Sequence, residues 1–384
     1  FKPWLPPLIF GCMAFPFFSA NIVSTDVLLT LFEALAMAGF MFAVVGECGG
    51  HRKHYLFAMW LGFGLAFLTK GPPGLIPLLA VLPFVYLRER WGGMGRLFTI
   101  PGIAAFFAVG LGWYLAAMER YPWLLHYFIH REVYDRLFTA AMGRHPGVFG
   151  WAVIYPPTLI LGSLPWWPAL WRGLRATAST GALRRLHRQR APAYFLLLWL
   201  VLPLLVFCLS QSRLPLYVLP LFLPLSLMLA LMLRRTLDLQ TMRERLVLGA
   251  WVAVLLASKA AVAYAVHPSE DIRAAARQLS AMRSPRDYAG VVFVEDTKAD
   301  YTIEQRTPWG LRLYLDRPVY GIAWKAAQSA AALCHAVHGH VPALLVIEPA
   351  IRPQAVASAL AACGLQQSSD LGLWRKQTLA LAGE

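Results

Sequence analysis

Two ionisable side chains stand beside long apolar runs, where a charge is costly. Asp26 precedes the apolar run 27–46, and Lys70 lies in a Gly/Pro-rich turn between the runs 55–69 and 72–88. An ionisable residue near membrane depth requires a partner or a polar cavity. For Asp26, helix capping and a functional acid are both open. For Lys70, phosphate binding and an interfacial lysine are both open.

The long segment 119–149 concentrates basic, acidic and aromatic side chains. Its candidate functional side chains, of which His126, His130, Arg131 and His145 could contact substrate, are His126, His130, Arg131, Glu132, Tyr134, Asp135, Arg136, Arg144 and His145. His126 and His130 are four residues apart, so on a helix they share a face, a spacing that permits divalent metal binding. The sequence leaves the metal requirement unknown. An amphipathic segment at the membrane interface is the alternative interpretation, and it is compatible with a lipid-handling site.

A third polar cluster, over 211–217, separates two further apolar runs. Arg213 can hold a phosphate through two parallel N–H bonds, and Tyr217 can donate a hydrogen bond. A pair of interface anchors is the alternative. Together the three clusters suit a reaction whose substrate or leaving group is an anionic, lipid-borne phosphate.

The elements that must position these side chains are predicted from hydropathy. Of the 384 residues, 58% are hydrophobic and 14% are charged, and the mean hydropathy is +0.53. Backbone groups in a bilayer must pair inside helices. Apolar runs of membrane length occupy 5–20, 27–46, 97–117, 150–171, 193–209, 214–233 and 246–266, and two shorter runs occupy 55–69 and 72–88. We predict a polytopic α-helical membrane protein with about nine transmembrane segments.

The connecting segments alternate in charge. One set, at 51–54, 88–96, 172–190 and 234–245, contains 15 Lys and Arg and three Asp and Glu. The opposite set, at 21–26, 69–74, 119–149 and 209–213, contains six and four. The positive-inside rule predicts that the first set is cytoplasmic. The net charge of +15 therefore reflects membrane topology and does not indicate a nucleic-acid partner.

The C-terminal residues 267–384 differ in character, with 12 basic and 11 acidic side chains. Residues 291–294 and 343–347 read as buried strands, and 270–281 and 354–363 read as amphipathic helices. We predict a transmembrane domain over 1–266, followed by a small exported α/β domain over 267–384. Cys334 and Cys363 lie in this domain and could form a disulfide in an oxidising compartment.

The ordered motifs resemble those of the GT-C integral membrane glycosyltransferases, in the branch of aminoarabinose transferases and protein O-mannosyltransferase-like proteins. The resemblance rests on 21–30, 64–71, 136–138 with 145–146, 164–166 and 210–220, in this order. Such enzymes transfer a sugar from a polyprenyl monophosphate to an acceptor hydroxyl or phosphate at the outer face of the membrane.

The resemblance implies that Lys70, Arg136, Arg213 and Tyr217 lie near the lipid phosphate, and it places Asp26 in the active cavity. Fixed cations there would stabilise the negative charge that develops on the leaving phosphate. Arg213 stands where many relatives have Lys. Family members also carry an acidic residue, expected to be the catalytic base, in a periplasmic loop that we expect to precede Phe1. The segment is then expected to bind donor and to require upstream residues for turnover.

The sequence thus predicts a bacterial inner-membrane glycosyltransferase that moves a sugar from a polyprenyl-phosphate donor to a lipid A-like lipid or a protein acceptor. A transporter or flippase for a lipid-linked or anionic solute is the alternative, since the same cations would serve it. Transporters often contain internal repeats and a midplane site, and neither is evident in the sequence. A membrane scaffold or sensor without enzymatic activity is a third hypothesis.

Overall fold

Helices build the first part of the chain. The computed structural model describes residues 2–46, 50–140, 143–177, 192–234, 237, 239–265, 271–295, 307–324, 329–367, 372–374 and 377–383. It divides into two units, Phe1–Ala261 and Val262–Glu384. The boundary falls within a long helix. Much of the predicted cytoplasmic segment 172–190 lies outside the described residues.

The helices of the first unit follow the predicted apolar runs. They are α1 (Leu5–Cys12), α2 (Ala14–Ser19), α3 (Thr25–Val44), α4 (Arg52–Lys70), α5 (Leu78–Leu97), α6 (Ile100–Phe106), α7 (Gly112–Arg120), α8 (Trp123–His126), α9 (Arg136–Phe138), α10 (Gly150–Gly162), α11 (Trp167–Thr177), α12 (Pro192–Leu209), α13 (Phe222–Leu233) and α14 (Met242–Ala265). Short 3-10 helices at Pro72–Leu75 and Pro215–Leu221, and π-helical turns at Phe107–Leu111 and Tyr127–Asp135, connect some of them.

Five helical stretches in the described part of the chain are long and apolar enough to cross a membrane. They are Thr25–Val44, Ile100–Arg120, Pro192–Leu209, Pro215–Leu233 and Met242–Ala265. The other predicted runs are also helical, but they are shorter, interrupted or charged at their ends. Near residue 13, for example, two short helices replace one long one.

Helices α3 and α4 pack against each other through glycines. A Cβ atom at Gly62 would lie 2.6 Å from the backbone nitrogen of Ala36, and one at Gly39 would lie 2.7 Å from that of Met59. Small residues allow helix backbones to approach this closely in membranes. The two contacts run in opposite directions along the chain, so the helices are antiparallel, and the start of α3 lies beside the end of α4. Aromatic side chains that include Phe40, Phe63, Phe84, Phe195 and Trp199 fill the adjoining core.

The second unit is a small α/β domain. Its helices are α15 (Ile272–Met282), α16 (Thr307–Leu315), α17 (Ala330–His338) and α18 (Pro353–Ala361), and its strands are β1 (Gly290–Glu295), β2 (Val319–Ala323), β3 (Ala343–Ile347), β4 (Gln366–Gln367), β5 (Leu373–Trp374) and β6 (Gln377–Gly383). The sheet order is β2-β1-β3-β6-β4, and β5 pairs with β6.

Strand β1 is parallel to β2 and β3, with Val292 opposite Leu345, whereas β6 is antiparallel to β3. Every residue of β1 and β3 is buried, as is typical of parallel strands covered on both faces. A disulfide joins Cys334 on α17 to Cys363 after α18. The prediction of a helical membrane protein with a small C-terminal α/β domain is confirmed.

Candidate functional site

Asp26 and Lys70 form a buried ion pair where α3 begins and α4 ends. The Asp26 side chain is 7% exposed and that of Lys70 is 14% exposed, and the Lys70 Nζ atom contacts Asp26 Oδ1. The helix cap is Ser24, whose Oγ atom accepts a bond of 3.1 Å from the Asp26 backbone N–H. The same hydroxyl donates to Asp26 Oδ2 over 2.9 Å. Because Ser24 caps the helix, the Asp26 carboxylate is available to Lys70.

Lys70 is the last residue of α4. Gly71 has a φ angle of +71°, a conformation that glycine adopts without strain, and the following Pro72 has no backbone N–H to continue the helix. The ammonium group lies 4.5 Å from the ring centroid of Tyr217, in cation–π geometry. The helix end therefore fixes Lys70 between a carboxylate and an aromatic face.

Arg144 brings a second cation to this point. Its Nη1 atom donates to the Tyr217 hydroxyl over 3.1 Å. The sequence placed Arg144 in the segment 119–149 without assigning it a role. Asp26, Lys70, Tyr217 and Arg144 thus form a continuous chain of contacts, which we call the Lys70 cluster.

Arg213 lies next to this cluster and stabilises the backbone around Arg144. It is 1% exposed. Its guanidinium donates to the backbone carbonyls of His145 (2.7 Å), Gly147 (2.9 Å) and Cys208 (3.0 Å), and its backbone N–H donates to the Arg144 carbonyl over 3.0 Å. Arg213 therefore holds the 144–147 turn in place. Its direct contact with a phosphate stays a prediction.

Arg136 joins the same region through its backbone. The Arg136 carbonyl accepts bonds from the Ser210 hydroxyl (2.9 Å) and the Ser212 N–H (3.0 Å). Its guanidinium forms a 2.6 Å ion pair with Glu132, one helical turn earlier. The predicted role of Arg136 at the phosphate likewise stays a prediction, since the structure directs its charge toward Glu132.

The four other candidates of this segment lie on one helix and on a turn, and all except the half-buried Arg131 are exposed. The imidazole rings of His126 and His130 stack with centroids 5.1 Å apart, so the two side chains do share a face. Asp135 lies 3.9 Å from His130 and 3.6 Å from Arg131. His145 occupies the exposed turn next to Arg144, with a φ angle of +49°. No group of three or more His, Cys, Asp or Glu within the described ranges could hold a metal ion.

One buried acidic residue was not predicted from the sequence as part of the site. Glu33 is 3% exposed and lies on α3, on the face that also buries Asp26 and Thr30. It is the sole acidic residue within the apolar run 27–46. A lone carboxyl group in a membrane-length segment is by itself a signal of function.

Curated relatives align with about half of the chain, and no family model matches it. An undecaprenyl phosphate-alpha-4-amino-4-deoxy-L-arabinose arabinosyl transferase of Sodalis glossinidius is 37% identical over 199 residues, which are 51% of this chain and 34% of the relative. A transferase of the same description from Enterobacter sp. is 32% identical over 199 residues, again 51% of this chain and 34% of the relative. The resemblance to aminoarabinose transferases is confirmed. The chain spans about a third of the length of these relatives.

Two solved structures share the fold. The structure of ArnT from Cupriavidus metallidurans bound to undecaprenyl phosphate has a TM-score of 0.65 at 18% identity, and it covers 98% of this chain and 78% of that one. The apo structure of the same protein has a TM-score of 0.64 at 17% identity, with coverage of 100% and 79%. At these identities the likeness establishes the fold, and the GT-C-like fold class is confirmed.

Proposed function

We propose that the chain is the donor-binding part of a glycosyltransferase that takes a sugar of the aminoarabinose type from a polyprenyl-phosphate carrier. The observation that carries the proposal is the Lys70 cluster, in which a buried ammonium is held between a carboxylate and a tyrosine ring beside a second cation. Such a preorganised pair of cations suits the phosphate of a lipid-borne donor. The names of the curated relatives support this choice of donor.

The chemistry follows from the charges. An acceptor oxygen, which is either an anionic phosphate oxygen or a hydroxyl oxygen that gives its proton to a base, attacks the anomeric carbon of the sugar, and the bond between that carbon and the phosphate oxygen breaks. The electron pair remains on the leaving phosphate, where Lys70 and Arg144 stabilise it. Asp26, our predicted catalytic acid group, holds the ammonium in position. Arg136 and Arg213 complete the proposed phosphate environment, and His126, His130, Arg131 and His145 belong to the proposed substrate segment.

The acceptor and the compartment follow from the same reasoning. Our proposed acceptor is a lipid of the lipid A class, as the resemblance to aminoarabinose transferases implies, with a protein acceptor as the alternative. The asymmetry of charge between segments supports a bacterial inner-membrane location with the C-terminal domain on the periplasmic side. The disulfide between Cys334 and Cys363 supports an oxidising compartment for that domain.

Binding and transfer test the proposal directly. The purified chain in lipid nanodiscs is titrated with undecaprenyl phosphate, and transfer of a labelled aminoarabinose from its undecaprenyl-phosphate donor to lipid A is followed by mass spectrometry. Lys70→Ala is compared with Lys53→Ala, which removes a lysine at the opposite end of α4. We expect Lys70→Ala to weaken binding about 10-fold or more, on the order of a charge-assisted hydrogen bond, and Lys53→Ala to bind like the wild type.

Equal binding by both variants would overturn the phosphate site. A wild-type chain that carries the donor across the bilayer and forms no glycosylated lipid would favour the transporter hypothesis.

A further inference from the structure

A small cavity in the first unit brings together two buried side chains that carry polar groups. Glu33 on α3 and Trp199 on α12 both line it, and they are 3% and 2% exposed. Within the described part of the chain, the Trp199 Nε1–H has no hydrogen-bond acceptor. The Glu33 carboxyl group, by contrast, interacts electrostatically with Lys70 and Asp26 of the Lys70 cluster.

The chemistry of the lining indicates what the cavity holds. An unpaired polar group in an apolar interior costs several kcal/mol, so orphaned groups usually mark an ordered water or ion. Pro203, which also lines the cavity, has no N–H to donate to the Trp199 carbonyl one turn earlier. One donor and one acceptor group, the Trp199 indole N–H and the Glu33 carboxyl group, belong to residues that line the space. The cavity leaves about 10 Å³ for the centre of a water molecule, which is room for about one.

The position of Glu33 links this cavity to the Lys70 cluster. Asp26, Thr30 and Glu33 follow the i, i+4, i+7 spacing of one helical face, and all three are buried. A bond from Glu33 across to α12 therefore fixes the rotation of α3 about its axis. That rotation sets the direction in which Asp26 points.

We propose that one ordered water bridges the Glu33 carboxyl group to the Trp199 indole N–H and carbonyl, and that Glu33 is thereby a positioning residue for Asp26 and Lys70. The water site itself is independent of the enzymatic activity. The positioning role rests on the proposed function, because it concerns the donor-binding cluster.

Two measurements test the two parts separately. Cryo-electron microscopy of the chain in nanodiscs, at a resolution that resolves water, is expected to place one density peak within hydrogen-bond distance of Glu33 and Trp199 Nε1. Thermal unfolding of Glu33→Leu, Trp199→Phe and the double variant is expected to be non-additive, since either substitution alone loses the shared water. An empty cavity with additive effects, or a metal ion in place of the water, would overturn the water site.

Rescue by a conservative variant tests the positioning role. Glu33→Gln keeps the shape and the hydrogen bonds, so its affinity for undecaprenyl phosphate is expected to stay within about twofold of wild type, whereas Glu33→Leu is expected to lose about 10-fold through misplacement of the cluster. Glu119→Gln, an exposed site at the end of α7, is the matched control. The positioning role is wrong if Gln and Leu are equally damaging, or if Leu is harmless. If the wild type binds no undecaprenyl phosphate, the proposed function fails while the density still decides the water site.

Discussion

The ammonium group of Lys70 lies 4.5 Å from the centre of the Tyr217 ring, while the hydroxyl of that same ring accepts a hydrogen bond from Arg144. One tyrosine therefore separates two cations that would otherwise repel each other. A phosphate that approached both would replace the weak π contact with charge-assisted bonds. The arrangement accounts for the presence of two neighbouring cations in an apolar setting.

Tyr217 is predicted to act through its ring and its hydroxyl separately. Tyr217→Phe keeps the face beneath Lys70 but releases Arg144, so undecaprenyl phosphate binding is expected to weaken by about 1 kcal/mol. Tyr217→Leu loses both contacts, and a further loss of about 1 kcal/mol is expected from the cation–π term. Titration of both variants in nanodiscs measures the difference. Equal affinities for Phe and Leu would show that the ring contributes nothing.

Asp26→Asn is predicted to leave a buried ammonium without its counter-charge. Removal of one partner of a buried ion pair typically costs about 3–5 kcal/mol, so the unfolding midpoint of the first unit is expected to fall. The double variant Asp26→Asn with Lys70→Met removes both charges and is expected to recover much of the stability while binding no phosphate. Thermal unfolding of the three forms, followed beside donor titration, provides the check. A single variant as stable as the wild type would contradict the buried pairing.

Arg213→Lys is predicted to preserve the positive charge but to lose the forked hydrogen bonds of the guanidinium. The guanidinium bonds three backbone carbonyls, of Cys208, His145 and Gly147, and one ammonium cannot reach all of them in the same fork. We expect faster proteolysis at the 144–147 turn and a loss of about 2 kcal/mol in stability. Limited proteolysis of the nanodisc-embedded chain reports the turn directly. Unchanged cleavage together with weaker donor binding would instead favour a direct phosphate contact.

Asp271 is predicted to make the C-terminal unit sensitive to acid. Its carboxylate accepts a 3.0 Å bond from the Ala274 N–H at the start of α15, and this bond lowers the pKa of Asp271 below 3.8, its ordinary value. Because the folded-state pKa is depressed, the stabilisation is present at neutral pH and is lost as pH falls below that value through the folded pKa. Asp271→Asn keeps a capping oxygen without the charge. The stability gap between the wild type and this variant should shrink on acidification, and a gap independent of pH would count against the prediction.

The sequence predicted the helices well because a segment in the bilayer must pair its backbone groups within itself, whatever its neighbours are. An apolar run must be helical wherever it stands, so the runs from 27–46 to 246–266 correspond to helices without knowledge of their neighbours. The same logic identified Asp26 and Lys70, since a charge beside such a run needs a partner. Their pairing was not predicted, because it depends on the glycine contacts between α3 and α4.

The hydrogen-bond partners of the polar side chains could not be predicted, because they depend on tertiary packing and not on residue spacing. Ser24, Thr25 and Asp26 were all plausible caps, and only the fold assigns the cap to Ser24. Arg213 and Arg144 are chemically equivalent in the sequence, yet one bonds backbone carbonyls and the other meets Tyr217. Glu33 was visible as a lone acid, but its orphaned neighbour Trp199 is far away in the chain and is brought close only by packing.

The glycine contacts between α3 and α4 also determine which distant substitutions can disturb the Lys70 cluster. Gly62 lies two turns before Lys70 on α4, about 12 Å along the axis at 1.5 Å per residue. A single added methyl group there would collide with the backbone of Ala36 and force the two helices apart. The distance between the Asp26 carboxylate and the Lys70 ammonium therefore depends on how closely α3 and α4 pack at these glycines, well away from either charged group. Gly62→Ala, which changes no charge and lies far from the proposed phosphate site, would therefore weaken phosphate binding. A genetic screen for loss of binding would recover it together with substitutions of the charged residues.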